Sequence, residues 1–177
     1  YRATTVDDLL ALGLEDLGGS DPNAVVNGLA VARVGAFRGD FGTSTSPVEA
    51  GYTRVTSTTA YSGALGYGWR SGKVEARDRG IGSALRRDLT YTPLATFAVD
   101  LPNGTYDVTV TLGDASAAHD QMGVYLEGAR VDTVSTARNQ FVARTYRVAV
   151  ADGQLTVLLD DLGGGDGNVV VNAIEVR

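Results

Sequence analysis

Four groups of side chains in this sequence have the types and spacing to do chemistry. Asp114, His119, Asp120 and Gln121 fall together in a stretch that reads as one loop between two strands. A histidine beside carboxylates can act as a general base or offer hydrogen bonds to a ligand. It is the only histidine in the chain, and no G-x-S-x-G or comparable nucleophile setting accompanies it, which argues against a hydrolase. The plainer reading is a loop histidine tied to its own turn. Tyr52, Tyr61, Tyr67 and Trp69 form an aromatic group that can stack on the C–H face of a sugar. Their plainer role is to cover one end of a core with their polar tips wet. Asp160, Asp161, Asp166 and Asn168 supply oxygens at short spacing in DDLGGGDGN, which makes them a candidate calcium loop. The spacing is not that of an EF-hand, and Asp and Asn in such a loop also bond to their own backbone. The basic run Arg77, Arg79, Arg86 and Arg87 reads as a solvated face, with an acidic sugar as the alternative ligand.

The elements that must position these groups are strands. With 44% hydrophobic and 20% charged residues, 23 Gly and only 4 Pro, the chain suits short strands joined by tight turns. A formal charge of −6 without basic clusters argues against nucleic acid and an anionic membrane surface. No cysteine is present, so neither a disulfide framework nor a thiolate metal site is available. No apolar run is long enough for a spanning helix. Residues 105–112, TYDVTVTL, alternate cleanly, and Pro102-Asn103-Gly104 before them reads as a hairpin turn with positive φ at Asn-Gly. Strands are also expected over 34–41, 51–57, 96–101, 122–127, 130–134 and 141–150, while 73–89 is expected to be irregular with at most a turn. Two more strands end the chain. About eight strands at hairpin spacing predict an all-β fold, an antiparallel two-sheet sandwich.

Residues 1–32 align without a gap on residues 146–177, with 15 of 32 positions identical. A fixed period marks a repeat array. Residues 33–177 therefore read as one complete unit, and residues 1–32 as the C-terminal strands of a preceding repeat or a strand-exchange leader. Because the twin already fills that place, the leader is expected to form strands that complete a neighbouring copy.

Three stretches carry a family resemblance: FRGDFGTSTSPVEAGYTRVTSTTAYSGALGYGW, DLPNGTYDVTVTLGDASAAHDQMGVYLEG and the final VVVNAIEV. Over most of 37–176 the chain resembles the galactose-binding-like jelly-roll modules fused to rhamnogalacturonan acetylesterase-like esterases, with malectin-like domains more distant. The resemblance implies a jelly roll whose end loops sometimes hold a sugar, with the esterase chemistry residing in a separate catalytic domain. A structural calcium is a trait of such jelly rolls, while no cofactor is required. The expected function is a non-catalytic module of a secreted or cell-surface bacterial tandem-repeat protein. Its role is structural or adhesive, and its partners are neighbouring copies of the same repeat. The alternative is a carbohydrate-binding module for plant or algal polysaccharide, with Tyr52, Tyr61, Tyr67, Trp69, Asp114, His119 and Asp120 as the binding residues.

Overall fold

The computed structural model describes Ser20 and residues 37–177. The expectation for residues 1–32 therefore lies outside the described residues. In order the elements are β1 (Phe37–Gly42), β2 (Thr53–Thr56), β3 (Tyr67–Gly72), β4 (Glu75–Asp78), α1 (Ala84–Arg87), β5 (Asp88–Thr92) and β6 (Leu94–Asp100). There follow β7 (Gly104–Gly113), β8 (His119–Leu126), β9 (Ala129–Thr136), β10 (Phe141–Val150), β11 (Gln154–Asp161), β12 (Val169–Val171) and β13 (Ala173–Val176). One five-stranded sheet runs β10-β7-β13-β1-β2 and a second runs β3-β6-β11-β8-β9; a three-stranded sheet, β12-β5-β4, joins them. The fold is the expected antiparallel β-sandwich, except that β2 lies parallel to β1.

Alternation builds the core. Tyr106, Val108, Val110 and Leu112 on β7 face Phe97 and Val99 on β6, Leu155, Val157 and Leu159 on β11, and Met122, Val124 and Leu126 on β8. Phe41, Trp69 and Phe97 meet edge to face with centroids 4.9–5.7 Å apart. Such pairs add about 0.5–1.5 kcal/mol each beyond their buried area.

Two sequence expectations need correction. Pro102-Asn103-Gly104 does not close a hairpin, because β6 and β7 belong to different sheets. Neither Asn103 nor Gly104 has positive φ. Asn103 instead accepts a hydrogen bond from the Gly153 amide (2.8 Å), which binds two crossing loops. The stretch 73–89 contributes β4 and the start of β5 as well as its single helical turn. A local pattern cannot reveal β5, whose ladder partner β12 lies some eighty residues away, nor the four-residue β4 that pairs onto it.

The chain's last strands stitch the sheets together. Phe37 pairs with Val176 and Val176 with Val108, so β13 sits between β1 and β7. Asn172 still belongs to that ladder, receiving Phe41 N–H (2.8 Å) and donating its own N–H to Thr111 (2.9 Å). Immediately before it, β12 pairs with β5 instead. The Asn172 side-chain amide donates to the Asp88 carbonyl (2.7 Å), which ties the small sheet to the large one.

Candidate functional site

At the end of the sandwich where β7 finishes and β11 runs out, four ionisable side chains form a chain. Arg79 grips Asp114 with a two-point fork, Nε to Oδ1 at 2.9 Å and Nη2 to Oδ2 at 2.6 Å. The Ser116 amide donates to the same carboxylate (2.7 Å), and His119 Nε2 lies 3.3 Å from it. The other ring nitrogen, Nδ1, is hydrogen-bonded to Asp166. Burial pushes the Asp114 carboxyl up, but Arg79, the Ser116 amide and His119 outweigh it and hold it below the usual carboxylate range. Both imidazole nitrogens are engaged by carboxylates, so the ring has no side left to take a proton from a hydroxyl nucleophile.

Asp120 shapes the neighbouring loop. Its two oxygens accept the Gly165 (2.8 Å) and Asp166 (3.0 Å) amides, and those two bonds hold its carboxyl low. A side chain at Gly164 would come within 2.4 Å of that carboxylate, at φ +116°, so only glycine fits there. The result is an open cleft of about 480 Å³ lined by Ala118, His119, Asp120, Ser135, Thr136, Ala137, Gly165 and Asp166. The Thr136 hydroxyl within this wall is buried and has no hydrogen-bond partner.

His119 and Asp120 are not in a loop, as expected, but begin β8; a register irregularity between His119 and Met122, with Gln121 at φ +49°, re-aims them. Arg79 is not part of a solvated face. It is the counter-ion of the buried Asp114, and Arg87 is likewise paired with Asp78 (2.7 Å).

The aromatic group is not brought to this cleft. Trp69 is 7% exposed, its indole N–H donates to the Thr56 carbonyl (3.0 Å), and it packs on Phe41 and Phe97. Tyr67 packs on Phe37, with ring centroids 5.1 Å apart. Tyr61 is bonded to Asp100 (2.9 and 3.1 Å) under the Arg70 guanidinium, 5.0 Å from its ring centroid. Tyr52 lies beside Arg38, and burial followed by Glu175 pushes its hydroxyl up to about 12. Tyr67 pairs with Val99 and Val99 with Leu155, whereas the cleft lies past Asp161, the opposite end of β11. Trp69 thus serves the core, because the indole both fills the space between the sheets and finds an acceptor there.

In the 160–168 loop, Asp161 accepts the Gly163 amide (2.8 Å) and Asp166 turns to His119. Among the described residues, no three His, Cys, Asp or Glu side chains come together as metal ligands. The four residues singled out for calcium are therefore not assembled into one ligand set.

A second buried acidic group escaped the sequence reading. Asp40 and Asp88 are each 2% exposed. Asp40 Oδ2 accepts the Glu49 amide (2.7 Å) and Asp88 Oδ2 accepts the Ser46 hydroxyl, while the Oδ1 of each is enclosed and accepts nothing. A methyl group on Gly42 would lie 1.7 Å from Asp88 Oδ2, so the carboxylate occupies the space a side chain would fill. The one available signal was an Asp inside a strand, GDFG, next to a glycine on the same face two residues on.

This architecture places the chain in a class: a galactose-binding-like β-sandwich with a polar cleft at one end. More narrowly, it belongs to the beta-agarase/YXIM esterase-like, galactose-binding domain-like family, whose model matches residues 37–177. It is 38% identical to beta-agarase A of Zobellia galactanivorans over 136 residues, which are 73% of this chain and 24% of that protein. It is 32% identical to the uncharacterized esterase YxiM of Bacillus subtilis over 142 residues, 77% of this chain and 35% of the other. The chain thus spans only a quarter to a third of these relatives. The YxiM crystal structure superposes with a TM-score of 0.66 at 26% identity, covering 80% of this chain and 39% of that one. A Bacteroides uniformis beta-glucuronidase shares the fold at TM-score 0.58 and 14% identity, over 80% of this chain and 17% of its own.

Proposed function

We propose that residues 37–177 are a non-catalytic carbohydrate-binding module, working outside a bacterial cell, that holds a polysaccharide-acting enzyme to its polymer. The observation that carries this reading is the family match across the whole sandwich, shared with a protein named beta-agarase. The cleft supports it chemically: Asp120, Ser135 and Asp166 line one open space, and His119 fixes Asp166 in place from behind. Neutral sugars are recognised by such convergent acceptors and hydroxyls on a rigid frame. Calorimetric titration against agarose and pectic fragments tests it. Wild type is expected to bind, and Asp166→Asn to weaken binding about tenfold, as loss of a charge-assisted hydrogen bond does; His119→Ala, which removes the ring that holds Asp166, is expected to weaken it as well. No binding to any polysaccharide rejects the module; binding unchanged in both variants moves the site out of this cleft.

The internal duplication favours a second, compatible role as a repeat unit. The twin of residues 1–32 supplies β11 and β13, the central strands of the two large sheets, and β12 of the small one, so its place within 37–177 is filled. Light scattering of the full chain and of a chain lacking residues 1–32 tests this. Concentration-dependent, open-ended association that the deletion abolishes is expected, and a strictly monomeric full chain rejects it.

A further inference from the structure

We propose that the His119 cleft selects uncharged polysaccharide and turns away chains bearing uronate or sulfate, with Asp120 and Asp166 as the residues that set this preference. The inference rests on the reading of the cleft as a sugar site and adds which class of sugar it takes.

The lining carries two carboxylates and no lysine or arginine. The Gly165 and Asp166 amides lie on the Asp120 oxygens and hold its carboxyl low, so Asp120 is charged at neutral pH. The Asp166 side chain is 28% exposed; His119 Nδ1 occupies its Oδ2, and among the described residues nothing donates to its Oδ1. Nothing behind this wall reverses its sign. The imidazole is shared between Asp166 and Asp114, two carboxylates against one ring. Arg79, on the far side of the ring, has its fork on Asp114. Arg138 is exposed on the next turn, which the Gln140 amide closes onto the Ala137 carbonyl (3.0 Å), and it is not among the lining residues.

The hydrogen-bonding groups point the same way. Ser135 Oγ accepts the Gln121 amide (3.0 Å), so its own O–H is left to donate. The cleft therefore offers a charged acceptor at Asp166 and a neutral donor at Ser135. A sugar hydroxyl both donates and accepts, and so satisfies either group. A carboxylate or sulfate ester only accepts, and against Asp166 it would set two like charges together with no donor between them. The chain's formal charge of −6 adds repulsion of an acidic polymer at longer range.

The test is calorimetry on the full chain with two pairs of probes, each sharing a backbone and differing in charge. One pair is agarose hexasaccharide and its sulfated form; the other is methyl-esterified hexagalacturonate and the free acid. The neutral member that binds is expected to do so with an affinity that salt barely changes. Its charged counterpart is expected to bind at least about tenfold more weakly at about 20 mM salt, the gap narrowing to about threefold at about 0.5 M as the charges are screened. Asp166→Asn keeps an acceptor for His119 and removes the charge, so it is expected to close most of the gap, whereas Arg138→Gln leaves it as in wild type. A charged probe binding within about threefold of its neutral counterpart at low salt overturns the proposal and leaves the sugar reading standing. A gap indifferent to both salt and Asp166→Asn overturns it too, since shape rather than charge would then decide. Should Asp166→Asn fail to fold, the salt series on wild type decides. Binding of no probe from either pair takes down the sugar reading itself, and this proposal with it.

Discussion

Asp114 and Asp40 are withdrawn from water almost equally, 1% and 2% exposed, yet their carboxyls are displaced in opposite directions. In both, burial is the leading influence and favours the neutral acid. What differs is the company. Asp114 has a guanidinium fork, a backbone amide and an imidazole on its two oxygens. Asp40 has one amide, a second carboxylate nearby, and an oxygen facing nothing. Depth therefore does not set the charge state of an acid in this sandwich; the number of donors at its oxygens does. The C-terminal ends of β1 and β7 carry this contrast on one scaffold, so substitutions can probe each acid separately.

The largest effect is expected from removing the compensation. Arg79→Met leaves Asp114 buried without its counter-ion, and a urea unfolding curve at pH 7 should show a loss of about 3 kcal/mol. A loss below about 1 kcal/mol, the value of a surface pair, would break the comparison. A smaller effect is expected in pH dependence, measured in chelator as wild-type stability minus that of Asp40→Asn. The folded Asp40 carboxyl binds a proton more tightly than the unfolded one, about 6 against 3.8. Its favourable contribution is therefore present below about pH 4 and lost as pH rises through about 6. The Asp114 carboxyl is held low, so its contribution runs the other way, present at neutral pH and lost as the solution is acidified. Two Asn variants with pH profiles of the same slope would show that company does not matter.

Legibility in the sequence follows the range of the interactions. Strands β7 and β10 are legible because TYDVTVTL and FVARTYRVAV alternate over ten-residue elements. The polar cleft was half legible: Asp114, His119 and Asp120 stand close in sequence, whereas Arg79 and Asp166 reach it from 35 and 47 residues away. Trp69 and Tyr67 drew notice by type, but residue type does not tell which face of β3 looks inward. Asp40 and Asp88 were invisible for the same reason as β5. Their partners are set by crossings between sheets, and only the small side of Gly42 hints that another residue's carboxylate needs that space.

Because Phe37 pairs with Val176 and Val176 with Val108, the chain enters and leaves the sandwich side by side. From Val108 to Asp114 is a rise of about 20 Å at the usual strand spacing. Cargo joined before residue 37 or after residue 177 would hang from one pole, while the His119 cleft opens at the other. A polymer gripped there and a body tethered here would be separated by the length of the sandwich. The two anchor points lie on neighbouring strands, so tension applied between entry and exit would load the β1–β13 ladder directly. The cleft, built on β8, β9 and the 160–168 loop rather than on that ladder, would be among the last places to feel the pull.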